Sequence, residues 1–235
     1  DLIQMSSFIF QTRSELTSAI NEWVTNQINA TLIYGEINNW DVSNITDFSN
    51  LFENQTTFNS DISNWNVSNG TNFSAMFIGA STFDQDIGNW DMSSSINLAS
   101  MFHGAREFNQ NIGNWDVSNV TNFNSMFLGA REFNQFIGNW DVSSGVNFAT
   151  MFMSTISFNQ DLRPWDVASA VTLYRMFSGA KVFDQDLSVW NRHPSGAGGY
   201  EGMFYLAEAI INNQNIPFYP GQSTPPMLWL QGLIL

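Results

Sequence analysis

Apolar and polar positions follow one rule through most of this chain. Trp40, Trp65, Trp90, Trp115, Trp140, Trp165 and Trp190 stand 25 residues apart without a slip. An aliphatic residue, Ile37 through Leu187, stands three places before each tryptophan. Phe52, Phe77, Phe102, Phe127, Phe152 and Phe177 stand twelve places after the first six. A second phenylalanine column, Phe58 to Phe183, keeps the same step. The positions between are mostly Asn, Ser, Thr and Asp. A period this strict marks a stack of small units, each packed only on its neighbours.

The pattern inside one unit predicts its local structure. Phe123, Met126 and Phe127 fall at i, i+3 and i+4, which predicts one face of a helix of two to three turns. Gly129 suits the left-handed residue after a helix end, and the Ser and Asn of "SNVT" before it are N-cap residues. The stretch "FNQNI" predicts a short strand of a parallel ladder, with coils stacked at about 5 Å. The expected fold is an α/β solenoid of about seven 25-residue strand–corner–helix coils. Its Trp columns and Phe77, Phe102, Phe127 and Phe152 form the core, because a chain this polar must put its large rings somewhere dry.

The two ends depart from the period. Residues 14–28 set Leu16, Ile20, Trp23, Val24 and Ile28 on one helical face behind Ser14, which predicts an N-terminal capping helix. Past Trp190 the phrase decays into a loop, and the Met-Phe pair returns two residues late at Met203 and Phe204. A Pro-rich stretch and the apolar "MLWLQGLIL" follow. Three regions result: 1–32, an N-terminal strand and capping helix; 33–212, the repeat; 213–235, a Pro-rich arm and apolar tail.

Charge narrows the partners. Seven Lys and Arg stand against 21 Asp and Glu, a net charge of −14. That argues against nucleic acid and against an anionic membrane surface. With no cysteine, a disulfide framework and thiolate metal sites are excluded. No apolar run approaches the ~20 residues of a membrane span. The first residue is Asp1 rather than Met, which is read as the mark of a removed leader such as a signal peptide.

The phrase "FNQxIGNWDVSNVTNFxxMFxGAxxFNQ" resembles the 25–26-residue repeat of BspA-like leucine-rich-repeat-like surface proteins, the type found in mycoplasma and Listeria lipoproteins. The resemblance covers residues 33–190 closely and 191–212 loosely. It implies a curved, leucine-rich-repeat-like stack on a secreted or surface-exposed protein. It implies binding or structural roles rather than catalysis, and it carries no catalytic or cofactor residue onto this chain.

Candidate sites sit on the columns. Asp41, Asp91, Asp116, Asp141 and Asp166 follow the tryptophans, with Asn66 and Asn191 in the same place. Asp61, Asp86, Asp161 and Asp186 form a second column, interrupted by Asn111 and Phe136. Stacked carboxylates can chelate calcium, but Asn at the same places favours a turn role. No metal or cofactor is expected. Asn59, Asp84, Asn109, Asn134, Asn159 and Asp184 suggest a side-chain ladder between coils. N-x-Ser/Thr sequons at Asn29, Asn44, Asn54, Asn66 and Asn119 are possible glycosylation sites, and further sequons begin at Asn69 and Asn72. The two histidines, His103 and His193, have no constellation around them, and no phosphate-binding, serine-hydrolase or zinc-protease motif is present. The reading is therefore a non-enzymatic extracellular or cell-surface protein. It associates with itself through apolar ends, with Phe8, Phe10, Leu228, Trp229 and Leu230 as assembly residues. The alternative is an adhesin-like module binding another protein or a glycan; a polysaccharide lyase is an outsider.

Overall fold

The computed structural model describes residues 7–190, 199 and 201–213. Helix α1 spans Arg13–Thr25 and α2 spans Gln27–Tyr34, and α3, Glu208–Asn213, follows the last coil. Thr12, not Ser14, caps α1. Its hydroxyl accepts from the Glu15 N–H, while the Glu15 carboxylate accepts from the Thr12 N–H. The single helix expected over 14–28 is broken at Asn26, whose side chain caps α2. Leu16, Ile20 and Trp23 are buried as the helical face requires, but Ile28 is 80 % exposed on the second helix.

The coils hold neither the helix nor the strand expected of them. Between α2 and α3, regular structure among the described residues is limited to a short 3-10 turn at Ile37–Asn39 and single parallel bridges. These bridges run Asp47 to Asn72, Asn97, Asn122, Asn147 and Thr172. The ladder thus lies in the segment read as helix, not at "FNQNI". Its donors divide by parity. The N–H groups of Phe123, Ser125, Phe127 and Gly129 donate to Asn147, Ala149, Met151 and Met153 of the next coil at 2.8–2.9 Å. Those of Met126, Leu128 and Ala130 turn back three residues within their own coil. The i, i+3, i+4 pattern buries the same side chains that a helix would, while half the backbone donors serve the neighbour. Such a path needs left-handed residues: Ser125 has φ 54°, and Asn50, Ala75, Ser100, Thr150 and Arg175 repeat it in the other coils.

A physical limit excludes the helix. Packed helices need axes about 8–10 Å apart. Here equivalent rings of neighbouring coils lie 5.0–5.1 Å apart beside the ladder, at Phe48–Phe73 and Phe123–Phe148. They lie 5.4–5.7 Å apart along the Phe52 column, 5.9–6.0 Å along the Phe58 column and 6.3–6.4 Å along the stacked tryptophans. The result is a repeat fold of 25-residue aromatic period with little regular secondary structure beyond its N-terminal helix pair.

The helix pair closes one end. Phe10, Trp23 and Tyr34 pack on Trp40, whose other side stacks on Trp65. Residues 8–10 pair with the first coil through a parallel bridge between Ile9 and Asp41.

Candidate functional site

The columns are best read one side chain at a time. Trp115 is 3 % exposed and its Nε1–H donates to the Ile87 carbonyl of the preceding coil at 3.0 Å. Trp65, Trp90, Trp140, Trp165 and Trp190 make the same bond to the carbonyl 28 residues earlier. This explains why the corner demands tryptophan rather than phenylalanine: the indole fills the core and satisfies a buried carbonyl of its neighbour. Phe77, Phe102, Phe127 and Phe152 are wholly buried in one stacked column. None of these rings presents a sugar-binding platform.

Both acidic columns are turns. Asp41, Asp91, Asp116, Asp141 and Asp166 each accept the N–H two residues on, and Asn66 does so equally. Asp61, Asp86, Asp161, Asp186 and Asn111 repeat the arrangement. The Ser93 and Ser143 hydroxyls, with their N–H groups, hold the Asp91 and Asp141 carboxyls below the usual range. Among the described residues no group of three or more His, Asp or Glu is placed to hold a metal ion.

The Asn59 column is a ladder between coils. Asn59, Asp84, Asn109, Asn134 and Asn159 each accept, through Oδ1, the backbone N–H of the residue 25 places on. Gln85, Gln135, Gln160 and Gln185 donate Nε2–H to the Asn oxygens of the same ladder.

Most sequon asparagines already use their amide. Asn119 donates Nδ2–H to the Ser93 carbonyl of the preceding coil, and Asn69 to Ser43. Asn29 donates to Glu22, Asn44 to Phe10 and Asn54 to Glu53. A glycan on Nδ2 would displace these bonds, whereas Asn66 accepts through Oδ1 and its nitrogen has no partner among the described residues.

The model of the family described as "Mycoplasma protein of unknown function, DUF285" matches residues 29–135 and 104–217. These two stretches cover most of the chain. The chain belongs to the DUF285 family. Neither a curated protein nor a solved structure matches it.

What this DUF285 chain leaves on its surface is more informative than what it buries. Phe10, expected at an assembly surface, is wholly buried against Tyr34 and Trp40, because residues 8–10 are tied to the first coil. Phe8 is partly exposed. Leu228, Trp229, Leu230 and His193 lie outside the described residues. His103 is half-buried, and desolvation lowers its pKa. No helix among the described residues is long and apolar enough to cross a membrane.

One strip of the DUF285 repeat escaped the sequence reading, because it coincides with the segment taken for a helix. It comprises residues 71–79, 96–104, 121–129 and 146–154, which contain no Asp, Glu, Lys or Arg. Its outward positions are Asn72, Asn97, Asn122 and Asn147, with small Ser, Ala, Asn or Thr beside them. One edge carries the exposed Ile96 and Val146, and the other the partly exposed Ile78, Leu128 and Met153. Each strip asparagine accepts the N–H two residues on. The amide nitrogens of Asn97, Asn122 and Asn147, on half-buried side chains, have no acceptor among the described residues. The signal in the sequence was the absence of charge at these places in so acidic a chain.

Proposed function

We propose that this is a non-enzymatic, surface-displayed repeat protein of the BspA-like kind. It is a curved solenoid in the extracellular space that binds an extended neutral glycan along its uncharged strip and associates with copies of itself through its ends. The observation that carries the binding is the strip itself: one nine-residue segment in each of four consecutive coils without Asp, Glu, Lys or Arg, in a chain of net charge −14.

Magnitudes select the ligand. Equivalent rings beside the strip lie 5.0–5.1 Å apart, at Phe48–Phe73 and Phe123–Phe148. A peptide strand advances about 3.3 Å per residue and would fall out of step within a coil or two. A nucleic-acid strand would require cations that the strip lacks. An extended β-linked glycan advances by nearly the coil step per sugar, so successive sugars would meet an asparagine at each step and an aliphatic side chain at one edge or the other. Tyr174 stands at the end of the strip, in the column held by Ser74, Ala99, Asn124 and Ala149 elsewhere. Beside it the Arg175 guanidinium lies between the Tyr174 and Tyr205 rings. The shorter coil step on the ladder side than on the tryptophan side supports a stack bent toward the strip, which would put the strip on the concave face.

The test is calorimetric titration with cello- and chito-oligosaccharides of two to six sugars, with a polyuronate as the charged control. Affinity should rise with length and be absent for the polyuronate. The triple variant Asn97→Asp, Asn122→Asp, Asn147→Asp keeps the turn acceptor, as Asp47 does naturally in the same column. It should lower affinity at least tenfold with an unchanged melting temperature. No binding to any neutral oligosaccharide, or binding indifferent to the triple variant, would overturn the proposal.

A further inference from the structure

We infer that the outer face of α2 is the seat for residues 227–235 of a second copy, making the contact between copies head to tail. The inference rests on the self-association part of the proposed function and names its site.

Helix α2 carries apolar residues on two opposite sides, with the polar Gln27, Asn29 and Thr31 among them. Ala30 is buried, and Tyr34 packs against the core. Yet Ile28 and Leu32, one turn apart, are 80 % and 74 % exposed, and Ile33 is 51 % exposed. Ile28 and Leu32 border an open hollow of about 360 Å³ with Gln27 and Thr31. A helix side that exposes several large apolar residues together is expected to be covered. Here one side is covered by the chain itself, and among the described residues nothing covers the other. The helix pair packs on Trp40 of the first coil, so this exposed face belongs to that end of the stack.

The occupant follows from composition and reach. Residues 227–235, "MLWLQGLIL", are seven apolar residues in nine, and the sequence from 209 to 235 carries no charge. They are joined to the end of α3 at Asn213 by the thirteen residues 214–226, four of them proline. Fully extended, thirteen residues span at most ~45 Å. To reach α2 of its own copy the segment would run back over six coil steps of 5.4–5.7 Å. It would also have to pass the last coil and the helix pair, with the linker near its limit. A copy whose helix pair follows the last coil brings its α2 beside residue 213, and the same linker spans the gap with slack. Conformational entropy therefore favours the second copy. Such a contact is heterologous, so it propagates into a filament unless rotation closes a ring.

Sedimentation velocity on the full chain tests this with two variants: Ile28→Asp/Leu32→Asp, which spoils the seat, and deletion of 225–235, which removes the occupant. Each variant alone should sediment as a monomer with its melting temperature unchanged. Mixed, they should pair one to one and stop, because one retains the seat and the other the segment. A mixture that stays monomeric overturns seating between copies. If the full chain and both variants associate alike, the α2 seat is wrong while self-association stands. A full chain that is monomeric throughout removes both.

Discussion

The helix pair and an interior coil solve the same problem by different means. An interior coil receives its Trp partner, its ladder bonds and its stacked rings from an almost identical neighbour. The first coil has no predecessor, and the cap counterfeits one. Gly35 supplies the carbonyl that accepts the Trp40 indole N–H, at 3.1 Å. Residues 8–10 supply the strand, through Phe10 N–H to Asp41 O and Asp41 N–H to Phe8 O. Arg13 reaches in to the Ser49 carbonyl, and burial lowers its pKa. The rings differ most: Trp23 meets Trp40 edge-on at 83°, whereas Trp115 and Trp140 are parallel within 3°. Interior partners are supplied by repetition, but cap partners come one residue at a time from unrelated places. A repeat can therefore tolerate uniform rules, while its end depends on individual residues.

The comparison can be broken most severely in the interior. Trp115→Ala should cost ~3–5 kcal/mol, since it removes a buried ring from two neighbours at once and strands the Ile87 carbonyl. Urea unfolding measures it, and a loss no larger than that of a surface substitution would remove the tryptophan column from the core. Glycine replacement comes next and separates the regions. Neither Gly35 nor Gly129 has an atom within 4 Å of an added Cβ, so the cost at each is conformational. Gly35, at φ 78° and ψ −174°, occupies a region almost closed to other residues, and Gly35→Ala should cost ~1–3 kcal/mol. Gly129→Ser should cost about 1 kcal/mol or less, because Ser154 holds the same place at φ 58°. Equal costs would mean that the cap is no more particular than the stack.

Two smaller effects sharpen the contrast. Thr12→Ala should cost ~0.5–2 kcal/mol, and hydrogen exchange should locate the loss in α1 and the first coil rather than along the stack. The smallest effect is acidic. The folded Asp91 and Asp141 carboxyls lie below their ordinary value. Their contribution is complete above the ordinary carboxylate range and is lost as pH falls through the folded values. Thermal midpoints should fall below pH ~4, and Asp91→Asn, which imitates Asn66, should flatten that fall. A chelator should leave the midpoint where it is. A drop with EDTA that calcium restores would turn the aspartate turns into a metal ladder.

Much of this was legible in the sequence because the period is a physical constraint. A ring that recurs every 25 residues must meet its copy, and Trp115 over Trp140 at 6.4 Å is that meeting. The local path was not legible. Phe123, Met126 and Phe127 point inward whether the backbone is helical or turned, and side-chain spacing does not say where N–H groups go. The close coil step held the clue, since packed helices need nearly twice that distance. The break at Asn26 was masked in the same way: Ile28 continues the apolar face of α1 in sequence but belongs to the next helix. The neutral strip was hidden because its evidence is an absence of charge, which only the geometry gathers onto one face.

The inter-coil bonds reach 24 to 28 residues along the chain, and nearly every coil repeats that interval. Each coil therefore closes a loop of the same size, at about 3 kcal/mol of chain entropy by the logarithmic rule. No coil can assemble until a neighbour stands ready to accept its donors. Folding of this stack is then a zipper with one slow opening event, after which the growing edge is its own template. The helix pair, whose contacts are the most local in the molecule, is the natural place for that edge to start.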